Sequence, residues 1–502
     1  MYDKLQKDAA FHPRPRPEYD APIGRDALRA VFRRCADFEE RTLYVGAEGS
    51  VEVYVCWLDG LISAAEAGEN LLRPLTDPRR LDAPDAAGCL DALLSGGVFC
   101  PALCLRQELD ALCDDITHGR CAVVFEELGR AVSFDVRSSS ARTVGEPTLE
   151  KSLKGSKDSF VETLRVNTAL LRRHVATPKL KIAESCLGRK SHTRVAVLFL
   201  EGVADGAVVR QLAARLDRID VDAIVSMGTL EELLVDKPRS PFPQLLHTEK
   251  PDRLASYLLD GRIGILVDGI PIALVLPVTF AEFMKVTGDG SMNYLVAAVL
   301  TALRYLALLL GLYLPALYVA VSSFHQEMIP TRLLLSIIEA KKDVPFSTAA
   351  EIVGMLIAFA LLQEAGLRLP NPVGDTVSII GALIVGQAAV EARLVSPIAI
   401  IVVAVSGIAC YTMPSQDMGS AVRLCRTGLL LSAIAAGLYG LALFSCLLAA
   451  HLASLDSFGV NYTAPLSAQS GGGLLQILLP GPREAQKLRD PLLHPQDRRR
   501  QR

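Results

Sequence analysis

At 502 residues the chain has room for two to four domains, and half of its residues are hydrophobic, more than an ordinary soluble globular protein carries. A formal net charge of −3 is near neutral for this size and leaves no electrostatic footprint for nucleic acid, which is excluded as a partner. The apolar excess lies behind residue 290: charges recur every few positions before it, whereas Tyr305–Phe324 and Thr427–Ala450 contain no Asp, Glu, Lys or Arg.

Met1–Asp20 is charged and Pro-rich with no apolar h-region, so residues 1–29 read as a flexible N-terminus of a cytosolic front half. Eight of the eleven cysteines precede residue 290, and only Cys100 and Cys104 sit close enough for half a zinc site. Reduced thiols and no metal are expected.

An internal repeat organises this half. VEVYVCWLDG ends at Gly60 and TRVAVLFLEG at Gly202; HGRCAVVFEE carries Arg120 where DGRIGILVDG carries Arg262; both pairs are 142 residues apart. Two matches sharing one offset indicate duplicated units. Each unit opens with a β-branched apolar run ending in an acidic residue and Gly. In the second, Val208, Leu212 and Leu216 follow at helical spacing, so strand, turn and helix succeed one another. The fold class expected is α/β plus an all-α membrane domain: lobes over about 30–145 and 160–290, a linker at 146–159, a helical membrane domain at 291–455 and a cytosolic polar tail at 456–502. RIGILVDG and IPIALVLP read as a hairpin through Asp268-Gly269. FVETLRVNTALLRRHV reads as a helix with Leu164, Thr168 and Leu171 on one side and Arg165, Arg172 and Arg173 on another, a basic face turned to solvent or to an acidic surface.

In the membrane half, the 34 residues from Gly374 to Gly407 are almost wholly apolar except for Glu391 and Arg393 at their middle. One helix of that length would be about 51 Å long, beyond a bilayer, and each central charge would cost about 2.5–3.5 kcal/mol on insertion scales. A turn at Glu391 and Arg393 between two segments removes that cost, with Ser396 as cap and Pro397 in the first turn of the second. Strong spans are therefore expected at 305–324, 376–390, 397–413 and 427–450, with 331–342 as an interfacial amphipathic helix and 352–367 as a short re-entrant or tightly packed segment; six spans result if both of these cross. The basic end QDRRRQR marks a cytoplasmic tail and an even count of crossings. Thr376–Val390 is short and carries Gly381, Gly386 and Gln387, which suit close packing or a polar path. Glu339, Glu351 and Glu364 are candidates to attract cations, or acidic residues resting at the interface.

Enzymatic chemistry has no constellation behind it. The chain contains no GxxxxGKS/T, GxGxxG after a strand, HExxH or GxSxG, and no cofactor or catalytic group is expected.

SFHQEMIPTRLLLSI, LPNPVGDTVSIIGALIVGQAAVEARLVSP, RVNTALLRR, SPFPQLLHTEKPD and HLASLDSFGVNY together resemble the A-subunit family of bacterial spore germinant receptors, the GerA family, from about Val51 to Leu466. The resemblance implies a multi-pass protein of the spore inner membrane, working with a transporter-like B subunit that senses a nutrient and a lipoprotein C subunit. It also implies assembly of A subunits as a ring that forms a nutrient-gated cation channel. On that reading Val377, Ile380, Ile384 and Val390 are candidate apolar constrictions beside Gly381, Gly386 and Gln387. Two other readings stand: a non-conducting scaffold that passes a partner's signal onward, and a solute carrier hinted at by the interrupted segment 352–367.

Overall fold

The structure, a computed structural model, describes residues 18–46, 49–77, 80–81, 83–98, 102–137, 147, 150, 155–368, 386–465 and 486–501. They divide into two compact units, one drawn from Met1–Leu234, His247–Leu276 and Lys487–Arg502, the other from Val235–Leu246 and Pro277–Gln486.

The first unit holds two five-stranded sheets. Helix α1 (Arg25–Val31) precedes β1 (Phe38–Val45) and β2 (Val51–Leu58); β3 (Leu103–Arg106), α2 (Leu109–Thr117), β4 (Arg120–Phe125) and β5 (Arg130–Asp135) complete the first lobe. The second follows with α3 (Leu164–His174), β6 (Leu180–Leu187), β7 (Thr193–Leu200), α4 (Gly206–Leu216), β8 (Leu246–Thr248), α5 (Pro251–Leu259), β9 (Ile263–Val267) and β10 (Ala273–Leu276). Strand orders are β1-β2-β4-β5-β3 and β6-β7-β9-β10-β8, one topology written twice. Phe38 and Leu180 open corresponding strands, and Leu109 and Pro251 open corresponding helices, each pair 142 residues apart.

Alternation along a strand, with both faces covered, explains why the central strands β2, β4, β7 and β9 are almost wholly apolar. Val53, Val55, Val123 and Phe125 point to one face, against Leu71, Leu75, Leu90 and Leu93. Tyr54, Cys56, Ala122 and Val124 point to the other, against Leu28 of α1 and Leu112 and Ile116 of α2. With both faces covered, no position needs to be polar. In the second lobe β9 and β10 pair antiparallel, and the turn between them is longer than a two-residue hairpin because it has other partners. Asp268 Oδ1 accepts from the Leu164 backbone N–H at 3.0 Å, which caps α3, and Gly269, at φ +85°, donates its N–H to Glu162 O at 2.7 Å.

The two lobes are joined through α3, and here the expected basic face is corrected. Arg172 is fully buried and donates through Nε and Nη2 to the two Asp37 carboxylate oxygens at 2.8 and 2.9 Å, while Nη1 donates to Thr177 O at 3.1 Å. Burial alone would lower this guanidinium; the Asp37 carboxylate reverses the sign and holds it above its ordinary value. Arg165 pairs with Asp59 at 3.0 Å and Glu184 at 2.9 Å, and only Arg173 of the three is exposed. Helical spacing separates polar from apolar faces, yet it cannot tell water from a neighbouring lobe that supplies carboxylates. Backbone bonds continue the junction: Ala36 N donates to Ile182 O and Ile182 N to Arg34 O.

A second ion pair ties α1 to β1. Arg29 Nε lies 3.0 Å from both Glu40 carboxylate oxygens, and the Tyr54 hydroxyl donates to one of them. The Arg29 hydrogen bonds, against opposing burial, hold the Glu40 carboxyl at about 2. A depressed carboxyl contributes stability above its unfolded value, about 4.3, and loses it as pH falls through the folded value. Urea midpoints followed by Trp57, the single tryptophan, should therefore drop between about pH 4.3 and about pH 2, and Glu40→Gln should flatten that part of the profile. An equal slope in the variant would assign the loss to other carboxylates.

Residues 487–501, in the polar tail, also belong to the first unit. Leu488 bridges Arg499, Arg489 N donates to Arg498 O and Arg500 N to Lys487 O, so the segment doubles back on itself. It is fastened to the second lobe by Gln496 N to Val203 O at 3.1 Å, Arg489 Nε to Leu259 O at 2.8 Å and an Arg500–Asp260 ion pair at 3.2 Å. Earlier in that tail, Asp456–Ser457 and Val460–Asn461 form a two-stranded ribbon of the second unit, with Tyr462 buried beside Phe283.

The second unit is helical: α6 (Tyr294–Phe324), α7 (Thr331–Lys341), α8 (Thr348–Arg368), α9 (Pro397–Tyr411) and α10 (Gln416–Ala453). By length and composition α6, α8 and α10 are apolar enough to cross a membrane, whereas α9 has 15 residues, about 22 Å. Helix α6 starts ahead of the expected span because Arg304, within it, is neutralised by Asp289 at 2.6 and 2.7 Å. Segment 352–367 is part of one helix, α8, in which the polar residues Glu351, just before it, and Gln363, within it, find partners instead of ending it. The run 427–450 is not one straight span. Ala436 (φ −141°, ψ 17°) and Gly437 (φ 58°, ψ −136°) break α10, and a Cβ on Gly428 would run into the Phe444 ring. Residues 428 and 444 can meet only if the helix folds back at the break. Of the expected span 376–390, residues 376–385 lie outside the described residues, and 386–390 are helical.

Candidate functional site: polar groups inside the helical bundle

Glu351, in the first turn of α8, is buried at 2% exposure and gathers three helices. One carboxylate oxygen accepts from Ser396 N at 2.9 Å and from Ser396 Oγ at 2.8 Å, at the positive N-terminal end of α9; the other lies 3.1 Å from Lys341 Nζ, at the end of α7. A carboxylate at a helix N-terminus beside an ammonium is already compensated. Glu339 and Glu364 are exposed, so the three acidic residues are not brought together.

Ser396 Oγ in turn accepts from Ala399 N at 3.4 Å, and Pro397 opens α9, where a missing N–H is harmless. Glu391 and Arg393 are exposed at the preceding turn; Arg393 has φ +55° and pairs with Asp343 at 2.8 Å. Gly386 is buried, and among the described residues a Cβ there would meet only Ile400, at 4.0 Å. Gln387 is exposed and Val390 half-buried; Val377, Ile380, Gly381 and Ile384 lie outside the described residues.

Sequence reasoning missed Arg423 and Arg426. The charge-free run begins directly after Arg426, which suggested a span starting there, yet α10 starts at Gln416, where Ser415 caps it by accepting from Met418 N. That cap was the available signal. Arg426, 6% exposed, donates through Nη1 to Ser406 Oγ on α9 at 3.1 Å, and Ser406 Oγ donates to Gly311 O, midway along α6, at 3.0 Å. Arg423 donates to Gln363 Oε1 on α8 at 3.1 Å.

In the first unit, a cavity of about 220 Å³ is lined by Arg25, Glu52, Tyr54, Glu126 and Glu127 on the first lobe. Arg25 stands 5.3 Å over the Tyr54 ring. The lobe junction is filled by Asp37 and Arg172. Among the described residues no group of His, Cys, Asp and Glu could hold a metal ion.

Spore germination protein B1 of Bacillus subtilis (strain 168) is 35% identical over 466 residues, covering 92% of this chain and 96% of that protein. An uncharacterized membrane protein of the same organism, YfkQ, is 35% identical over 418 residues, 82% of this chain and 80% of its own length. Among solved structures, the N-terminal domain of the A subunit of the Bacillus megaterium spore germinant receptor GerK3 matches with a TM-score of 0.40 and 25% identity, over 51% of this chain and 93% of that domain. The family model for the Bacillus/Clostridium GerA spore germination protein matches residues 26–492, and the chain is therefore a membrane protein of the GerA family.

Proposed function

We propose that the chain is the A-type subunit of a spore germinant receptor in the spore inner membrane, transducing a nutrient signal into germination as one copy of an oligomeric cation channel. The observation that carries the germination role is the end-to-end correspondence with spore germination protein B1. A transporter-like B subunit and a lipoprotein C subunit are the partners this reading requires.

Residues 487–501 fold into the same unit as both sheets, which supports a chain that leaves the membrane on the side where it entered. The segment between them then crosses an even number of times, with the front unit and the tail both cytoplasmic. A second reading, a non-conducting scaffold, is favoured by one observation: Glu351 is consumed by Ser396 and Lys341, as a packing element would be.

Light scattering on the nanodisc-embedded protein separates the two. A closed ring of several copies is expected, and proteoliposomes containing it should pass monovalent cations, with Gly386→Leu reducing flux or assembly because a large side chain is added at a buried position of the helix expected to line or support the pore. A stable monomer with and without partner subunits would leave the scaffold.

A further inference from the structure

We propose that Arg423 and Arg426 form a site for a small inorganic anion, chloride-sized, in the middle of the helical bundle. The two residues are three apart on α10 and so share one side of the helix. Every acceptor they meet is neutral: Ser406 Oγ at 3.1 Å and Cys410 Sγ at 3.8 Å for Arg426, Gln363 Oε1 at 3.1 Å and Ser420 Oγ at 2.9 Å for Arg423. Among the described residues no carboxylate pairs with either, in contrast to Arg304, Arg172 and Arg393, each of which has one.

Arg426 Nε, buried, has no hydrogen-bond partner. A guanidinium does not deprotonate in a protein, so this charge cannot be relieved by losing a proton. Ionisable groups at such depth face the bundle interior and mark sites of function. Two like charges one helical turn apart, Arg426 buried and Arg423 half-buried beside it, call for a negative countercharge.

Packing limits its size. A Cβ on Gly311 would approach Cys410 Sγ to 3.1 Å, and one on Gly407 would meet the Phe359 ring at 2.6 Å, so α6, α8 and α9 close tightly beside the pair. A monatomic halide satisfies the free N–H and the charge without opening these helices; a phosphate or an amino acid would have to separate them. The inference does not depend on conduction by the chain.

The full-length protein in nanodiscs tests it, with chloride exchanged for isethionate at constant ionic strength. The thermal midpoint should rise with chloride, by equal increments for each further factor in concentration above the dissociation constant. Chloride NMR lines should broaden on addition of the protein and sharpen again when bromide competes. Both responses should vanish in Arg426→Gln; if that variant does not fold, Arg423→Gln, which keeps the buried guanidinium, should weaken them several-fold. A midpoint indifferent to the anion, or a wild-type chloride response in both variants, overturns the site.

Discussion

Arg172→Ala should remove about 3–5 kcal/mol from the stability of the first unit, the cost of leaving one member of a buried ion pair uncompensated. That is a large part of the roughly 5–15 kcal/mol by which domains are stable. Asp37, 1% exposed, would lose both guanidinium bonds and gain no water in exchange. Urea unfolding followed by Trp57 fluorescence should show a lower midpoint. The double replacement Asp37→Leu with Arg172→Met should recover most of the loss, because well-packed apolar groups replace a buried pair at little cost. If Arg172→Ala leaves the midpoint in place, water reaches the pair and the lobes are held by their backbone bonds instead.

Gly437→Val should prevent α10 from folding back. The residue sits at φ 58°, ψ −136°, where a side chain is strained by about 1–3 kcal/mol, and a Cβ there would also lie 3.0 Å from Phe324 and 3.1 Å from His325. The readout is a distance. Spin labels on Leu424→Cys and Leu447→Cys, both at exposed positions, should lie close together in the parent fold, since packed helices run about 8–10 Å apart. A continuous helix would hold them about 35 Å apart at 1.5 Å per residue. Electron-spin distances measured with the native cysteines replaced should shift from the short to the long value, or the variant should fail to accumulate. A short distance retained in Gly437→Val would show that packing around the limbs, not the glycine, makes the bend.

The lobes were legible because the strands that carry the repeat, β2 with β7 and β4 with β9, are buried on both faces and so are built almost wholly of apolar residues in both copies. The side of α3 that meets the other lobe was not, since Arg172 gives the same spacing whether it faces water or Asp37. Composition announced an apolar segment at 427–450, but a run without charges carries no mark of the residue at which it reverses. Two small residues before a glycine, Ala435-Ala436-Gly437, are a weak signal in a segment full of them. Polar groups of the bundle were read one residue at a time, and Glu351 and Arg426 acquire their partners from α9, which lies 45 and 20 residues away in sequence.

The fastening of residues 487–501 to the second lobe also sets an order in time. These residues leave the ribosome only after the intervening segment 277–486 has been made, which takes about 10–40 s at roughly 5–20 residues per second. Throughout that interval the first unit waits with Val203, Leu259 and Asp260 uncovered, while the helices behind it are being inserted. Closure of the strap is thus a late event that ordinary domain-by-domain folding would have finished long before, and it makes the finished front unit a record that synthesis has run through the membrane segment.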